Sequence, residues 1–180
     1  MKNCKKILSA ILVASMAFSL AGCSSVKAID KKDFKNALKE LKLDDEMREY
    51  KGDDIEYYGY DEDDIKYLAR VWDDDQWYMF IQFEDTEAAH DYFEDEFYDD
   101  IMDVKEDKDF DGKLKTKLSK SSGYIILKGE SESDDFMEGE IYGGIYFKND
   151  VVVVALASSD KKSDIKDIDT FLKSIGYPKP

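Results

Sequence analysis

Two segments of the chain share one pattern, a strand, a turn, a second strand and a helix, and they lie 75 residues apart. The first reads VWDDDQWYMFIQFED and the second reads YFKNDVVVVALASSD, and the shift aligns Trp72 with Phe147 and Asp85 with Asp160. Each segment places a polar turn between two runs rich in β-branched or aromatic residues, which is the pattern of a β-hairpin. Because their identity is low, we interpret them as a structural pseudo-repeat of hairpin plus helix, which favours one antiparallel sheet.

Apolar residues at helical spacing predict three helices. The first covers residues 31–43 and follows Asp30, a residue type that caps helix N-termini. The second covers 86–102, and the third covers 164–175. Gly176 follows the last apolar residue of the third helix, as expected at a helix end.

Runs with alternating or continuous apolar residues predict the strands. They lie at 65–72, 77–84, 113–119, 124–128, 140–147 and 151–158, with a further short strand near 57–60. The sequence therefore predicts an α+β fold in which one antiparallel sheet is built from the two pseudo-repeats and the helices lie mainly on one face. We expect a single domain at 30–180, with halves at about 30–104 and 112–180.

Pairing the first hairpin with Trp72 opposite Trp77 assigns the strand residues to two faces. One face is the expected helix-covered core: Leu68, Met79, Ile81, Phe83, Ile141, Ile145, Phe147, Val152, Val154 and Leu156. The other face is unusually aromatic, and if no helix covers it, it is a candidate binding surface for a protein or small ligand: Tyr67, Tyr78, Phe80, Tyr142 and Tyr146. The alternative is that this face packs against the first helix or residues 57–60, since tyrosine favours strands.

The N-terminus has the pattern of a secretory signal peptide, at residues 1–22. Lys2, Lys5 and Lys6 precede an apolar run that ends near Leu20. As a helix, about 15 apolar residues would span about 22 Å, which is short of a hydrocarbon core of roughly 30 Å. The segment is therefore predicted to be a signal and not a membrane-spanning anchor.

The end of this run, LAGC at 20–23, resembles the lipobox of bacterial lipoproteins. The resemblance implies that Cys23 is acylated and begins the mature chain, with 23–29 as the lipidated N-terminus and a short tether. In this family the cysteine carries two or three acyl chains such as palmitate, and more than one chain gives durable anchoring. The resemblance therefore implies attachment to the lipid bilayer on the extracytoplasmic side of the cell membrane. An ordinary cleaved secretion signal is the alternative.

The charge of the mature chain limits its partners. Three of the 26 basic residues precede Cys23, which leaves 23 basic against 42 acidic residues and a net charge of −19. Such a surface repels nucleic acid, so no nucleic-acid partner is expected, and solubility is its simplest role. Cys4 leaves with the signal, so once Cys23 is acylated the domain has no cysteine for a disulfide or a thiol nucleophile.

Sequence motifs of common catalytic sites are missing. The chain contains no GxSxG, HExxH, P-loop or CxxC motif. Its single histidine, His90, lies beside Asp91 and has Glu87 and Glu94 at helical spacing. This group can bind a metal weakly, although an exposed helix histidine is the ordinary alternative. We therefore expect no enzymatic activity; a carboxylate-based hydrolase would need two acids converging in a cleft.

The segment EDKDFDGKLKTKL, at 106–118, begins like a calcium loop. Asp107, Asp109 and Asp111 alternate before Gly112, which matches the first half of such a loop. Leu118 stands where the closing glutamate is needed, and the residues around it alternate as a strand does. The segment is therefore either a weak calcium site between a helix and a strand or a solvated linker between the two halves.

These observations together predict a membrane-anchored, extracytoplasmic binding or interaction module that needs no cofactor. Its motivating features are the lipobox, the missing catalytic motifs and the aromatic sheet face. A calcium-dependent surface protein that uses the 107–112 segment is the alternative.

Overall fold

The computed structural model describes residues 26–57, 64–133 and 138–180. Its helices are α1 Lys31–Leu41, α2 Asp53–Tyr57, α3 Thr86–Phe93, α4 Asp99–Asp107 and α5 Lys162–Ile175. A π-helical turn, Glu94–Tyr98, joins α3 to α4. Its strands are β1 Arg48–Tyr50, β2 Ile65–Asp73, β3 Gln76–Phe83, β4 Phe110–Ser119, β5 Ser122–Ser131, β6 Gly139–Lys148 and β7 Val151–Ala157.

In the described part of the chain, the seven strands form one antiparallel sheet in the order β1-β2-β3-β7-β6-β5-β4. The α+β class and the antiparallel sheet are therefore confirmed. The predicted hairpins are present with the predicted register, since Trp72 pairs with Trp77 and Phe147 pairs with Val152. The two hairpins meet at the centre of the sheet, where β3 pairs with β7.

Helices cover both faces of the sheet, so the prediction that they lie mainly on one face is wrong. On one face, α1 and α5 pack over the strands, and Phe34 of α1 contacts both Phe80 and Phe171. On the other face, α3 packs through Ala89 and Phe93. The physical reason is that both faces of β6 and β7 are apolar, and a sheet with two apolar faces is stable only when both are covered.

The two hairpin-plus-helix units are alike in their hairpins and differ in their helices. Asp74 and Asn149 occupy the same position in the two turns, and both have positive φ, 43° and 54°. The last residue of the second strand faces a different side of the sheet in each unit. Phe83 at the end of β3 faces the α3 side, whereas Ala157 at the end of β7 faces the α5 side. The connections also differ in length, so the two following helices cross to opposite faces of the sheet.

Two predicted helix ends, the start of α1 after Asp30 and the end of α5 at Gly176, agree with the structure. Asp30 caps α1 by accepting hydrogen bonds from the backbone N–H groups of Lys32 and Asp33, and the Asp33 side chain accepts from the Asp30 N–H. Gly176 ends α5 with φ of 71°, a left-handed conformation in which glycine is least strained. The second predicted helix extends further, to Asp107, through the π-helical turn.

The folded domain begins earlier than the predicted boundary at residue 30. Val26 and Ile29 are buried in the core beneath α1 and α5, and the Tyr177 hydroxyl donates a hydrogen bond to the Lys27 carbonyl oxygen. Residues 26–29, which were predicted to belong to the tether at 23–29, are therefore part of the folded domain. Cys23 lies outside the described residues.

Two short elements were not predicted. Strand β1 extends the sheet beside β2, and helix α2 follows it. The predicted strand near 57–60 is not confirmed at Tyr57, which ends α2, and its other residues lie outside the described part of the chain. Strand β1 has only three residues, so it is too short to show an alternating pattern.

Candidate functional site

The predicted aromatic binding surface is buried. All five residues lie on one face as predicted, but α1 and α5 cover that face. None of them exceeds 6% exposure: Tyr67, Tyr78, Phe80, Tyr142 and Tyr146. The prediction of an open binding surface is therefore wrong, and its stated alternative, packing under the first helix, describes this face.

The buried tyrosines keep their hydroxyls paired. Tyr78 donates to the Gln76 Oε1 atom at 2.7 Å, and Tyr142 donates to Asp169 Oδ1 at 2.8 Å. Burial raises the pKa of Tyr78 far above its usual value, with nearby carboxylates adding to the shift. Burial also raises the pKa of Tyr142, which Asp169 reinforces by accepting its hydrogen bond. These groups are protonated structural donors.

The three aspartates of the predicted calcium segment lie in different backbone settings. Asp107 is the last residue of α4, and its side chain lies outside what the structure describes. Lys108 then turns the chain with φ of 66°, and Asp111 already belongs to strand β4. Among the described side chains, Asp109 and Asp111 belong to no cluster with the ligand spacing of a metal site. The segment is a helix-to-strand junction, and calcium binding there stays a prediction because the Asp107 side chain belongs to no described part of the structure.

The close approach of two strands explains why residue 112 is a glycine, without any metal. It pairs with Gly129 across β4 and β5, and an added Cβ would lie 2.4 Å from the Lys128 carbonyl oxygen. The two backbones approach too closely for a larger residue. The glycine therefore permits strand pairing, which accounts for its place in the sequence.

An exposed tryptophan marks a site that the sequence analysis did not single out. Trp72 is 64% exposed, and among the described residues no other large hydrophobic side chain is exposed. Its ring stacks on Trp77, with centroids 5.3 Å apart and an angle of 26° between the planes. These are the only two tryptophans of the chain. An exposed, stacked indole pair provides a flat apolar platform.

Two arginines lie beside this platform. Arg48 on β1 pairs with Arg70 on β2, two residues before Trp72, so all three side chains lie on the same face of the sheet. Like charges directly opposite each other in a sheet destabilise it. The chain has no other arginine, and its net charge is −16, so two adjacent positive charges stand out. This pairing of both arginines is the most unusual feature of the charge distribution.

Arg48, Arg70 and Trp72 line an open pocket of about 540 Å³. Asp45, Glu46 and Met47, in the loop before β1, complete its lining. The Arg70 guanidinium lies 5.2 Å from the centre of the Tyr50 ring, which holds it in place. Arg48 is exposed and has no ion-pair partner among the residues that the structure describes. We call this arrangement the Arg–Trp site.

The architecture explains why this corner is open. The core that α3 and α4 cover reaches across the sheet as far as Tyr50 and Leu68. Arg70 and Trp72 lie beyond Leu68 on the same face of β2, where Trp72 is left exposed. On its other side, Trp72 lines a second pocket of about 230 Å³ with Trp77 and Leu156. The indole pair therefore separates two concave surfaces.

One sequence signal could have located this site. Both arginines and both tryptophans fall within thirty residues, from 48 to 77, in a chain whose other basic residues are lysines and one histidine. Guanidinium groups recognise carboxylate and phosphate in a paired geometry that lysine does not provide. Their shared pocket could not be predicted, because β1 was not recognised as a strand.

Comparisons with protein-family models, with curated proteins and with solved structures give no match to this chain. No helix among the described residues is both long and apolar enough to span a membrane.

Proposed function

We propose that the protein is a membrane-anchored, extracytoplasmic binding module that takes a small anionic ligand at the Arg–Trp site, without catalysing a reaction. The single observation that carries the binding proposal is the cross-strand pair Arg48–Arg70 beside the exposed Trp72. A negatively charged ligand would accept charge-assisted hydrogen bonds from the exposed Arg48 guanidinium beside the Trp72 ring.

The ligand class follows from the two kinds of surface in the pocket. The guanidinium groups favour a carboxylate, and the Trp72 indole favours a flat apolar face. A saccharide that carries carboxylates, such as a hexuronic acid, has both features in one small molecule. Asp45 and Glu46 at the rim disfavour ligands with dense negative charge, such as nucleic acid.

Anchoring through Cys23 fits the position of the site. Only Ser24 and Ser25 would separate an acylated Cys23 from the buried Val26. Ile29 lines a pocket with Tyr67, near the start of β2. Trp72 is five residues further along β2, which is about 17 Å from Tyr67. The Arg–Trp site would therefore lie at the end of the sheet away from the lipid.

Intrinsic fluorescence tests the binding proposal directly, because Trp72 lines the site and Trp77, the other tryptophan of the chain, stacks on it. The mature chain is titrated with an oligomer of hexuronic acid, and a neutral hexose oligomer of equal length is the control. We expect a saturable change in emission with the acidic oligomer alone. Equal responses to both oligomers, or none to either, would contradict the proposal.

Variants separate specific recognition from general charge. Arg48→Gln should weaken binding about tenfold or more, since a charge-assisted hydrogen bond contributes about 1.5–3 kcal/mol. Lys115→Gln removes one exposed charge from strand β4, on the opposite edge of the sheet, and is the matched control. Equal losses in the two variants would show that the effect is long-range charge and not the site.

Anchoring is tested separately in cells. Mass spectrometry of the protein from the membrane fraction should show a diacylglycerol on Cys23, and Cys23→Ser should release the protein from that fraction. An unmodified Cys23 in the membrane fraction, or retention of the variant there, would overturn the anchoring proposal without affecting the binding proposal.

A further inference from the structure

We infer that His90, Asp91 and Glu94 form a site for a divalent transition-metal ion. His90 and Asp91 lie on α3, and Glu94 begins the π-helical turn that follows. His90 Nδ1 lies 3.2 Å from Asp91 Oδ1 and 3.5 Å from Glu94 Oε2. All three ligand atoms lie within 4.8 Å of one another. The inference concerns a second location and does not depend on the Arg–Trp site.

The distances suit coordination. Nitrogen and oxygen ligands lie about 2.0–2.2 Å from zinc, so two ligand atoms of a tetrahedral site are roughly 3.3–3.5 Å apart. The two separations from His90 Nδ1 are close to this value. The carboxylates of Asp91 and Glu94 are 62% and 41% exposed, so small rotations can bring them to one ion and water can complete its coordination.

The imidazole is held in position before any ion binds. Its ring meets the ring of Phe147 edge to face, with centroids 5.8 Å apart and an angle of 81° between the planes. Phe147 is fully buried on β6, so it provides a fixed support. The His90 side chain is 22% exposed, whereas the sequence alone favoured an exposed histidine. A fixed ligand loses less conformational entropy on binding.

The helix backbone is irregular at the site. The helix changes from α to π geometry at Glu94, where the Asp99 N–H bonds the Glu94 carbonyl oxygen five residues earlier. Turns of this kind are rare and frequent at functional sites. The change begins at Glu94, the residue whose carboxylate approaches His90.

The surrounding charge favours cations. An adjacent groove of about 520 Å³ is lined by six carboxylates: Asp64, Asp85, Glu87, Asp91, Asp95 and Glu96. Such a field raises the local concentration of divalent ions. The imidazole then selects among them, because calcium and magnesium prefer all-oxygen sites whereas zinc and copper bind imidazole well. Zinc is therefore the appropriate probe.

Calorimetric titration with zinc tests the inference. The mature chain is used with Cys23→Ser, so that no thiol competes for the metal. We expect one ion per chain, and at least tenfold weaker binding in His90→Ala and in Glu94→Gln, since even supporting residues of metal sites change affinity by about 10–100-fold. Millimolar calcium should not displace the zinc.

Glu87→Gln is the matched control, because Glu87 lies on the same helix and lines the same groove but is not in the ligand cluster. Its zinc affinity should stay within about twofold of the parent chain. Circular dichroism of each variant checks that the fold is kept. Absence of zinc binding at about 0.1 mM, or equal losses in Glu87→Gln and Glu94→Gln, would overturn the inference.

Discussion

The two faces of the sheet are both buried, but different side chains fill them. The core under α1 and α5 contains five buried tyrosines: Tyr67, Tyr78, Tyr142, Tyr146 and Tyr177. The face under α3 and α4 contains mostly phenylalanine, isoleucine, valine and leucine. The comparison shows that aromatic content alone does not reveal whether a sheet face is open.

The tyrosine face is compatible with burial because its hydroxyls reach partners at the margin of the core. Tyr146 donates to the Pro178 carbonyl oxygen, beyond the end of α5, and Tyr177 donates to the Lys27 carbonyl oxygen. The first bond ties the segment after α5 to strand β6, and the second ties the same segment to the residues before α1. A buried polar group that finds a partner costs little, whereas an unpaired one costs about 1–3 kcal/mol.

The two faces should nevertheless unfold together, and truncation of one large ring in each tests this. Phe34→Ala on α1 and Phe93→Ala on α3 should each lower the free energy of unfolding by about 3–5 kcal/mol, because both side chains are fully buried. Urea denaturation followed by circular dichroism measures the change.

Hydrogen exchange is the accompanying control for cooperativity. Both variants should lose protection in α1 and α3 alike, since β3 and β7 are shared by the two cores. Loss of protection on one face only would show that the two cores unfold as independent units.

Alkaline pH should distinguish the two faces. The pKa values of Tyr78 and Tyr146 are raised in the folded state, chiefly by burial, above the value of about 10 for an exposed tyrosine. Their contribution to stability is therefore complete below pH 10 and is lost as the pH rises towards the folded values. Each tyrosine that ionises only on unfolding lowers the free energy of unfolding by up to about 1.4 kcal/mol per pH unit.

The measurement is a series of urea titrations between pH 8 and 11.5, with tyrosinate absorbance recorded in parallel. Tyr78→Phe should reduce the slope of stability against pH above 10, because it removes one such group. An unchanged slope would show that the buried tyrosines do not control alkaline unfolding.

A single hydroxyl should contribute less than a ring. Tyr146→Phe should lower the free energy of unfolding by about 1–2 kcal/mol, since it leaves the Pro178 carbonyl oxygen without this donor. Tyr142→Phe is the matched control, because its partner Asp169 also pairs with Lys179 and is partly exposed. We expect a smaller loss of stability in Tyr142→Phe than in Tyr146→Phe. A larger loss in Tyr142→Phe would contradict the conclusion that the Tyr146 hydrogen bond contributes more to stability.

The sequence predicted the periodic features of the fold well. Alternation placed Tyr78 and Met79 on opposite faces, and Asp30 and Gly176 marked two helix ends, because these signals depend on a few neighbouring residues. It did not predict where α3 and α5 pack. A helix with one apolar stripe fits either face, so its side depends on the connection and on long-range packing.

The candidate sites also depend on contacts between residues that are far apart in the sequence, which local patterns do not show. The calcium pattern at 107–112 has the right residue types, and its residues lie across the end of α4 and the start of β4, where Gly112 pairs with Gly129. The Arg–Trp site depends on the contact between β1 and β2, which join residues about twenty positions apart. Sequence spacing alone cannot show such a contact.

The smallest effect on stability is expected from truncation of the exposed Trp72 side chain. Trp72→Ala should lower the free energy of unfolding by about 1 kcal/mol or less, because an exposed aromatic stack contributes about 0.5–1.5 kcal/mol. Trp77→Ala is the control on the same platform and should cost more, since Trp77 is half-buried against the α3-side core. Urea denaturation measures both. A larger loss at Trp72 would mean that its ring serves packing, and the Arg–Trp site would then lose the argument that its exposed indole is kept for a ligand.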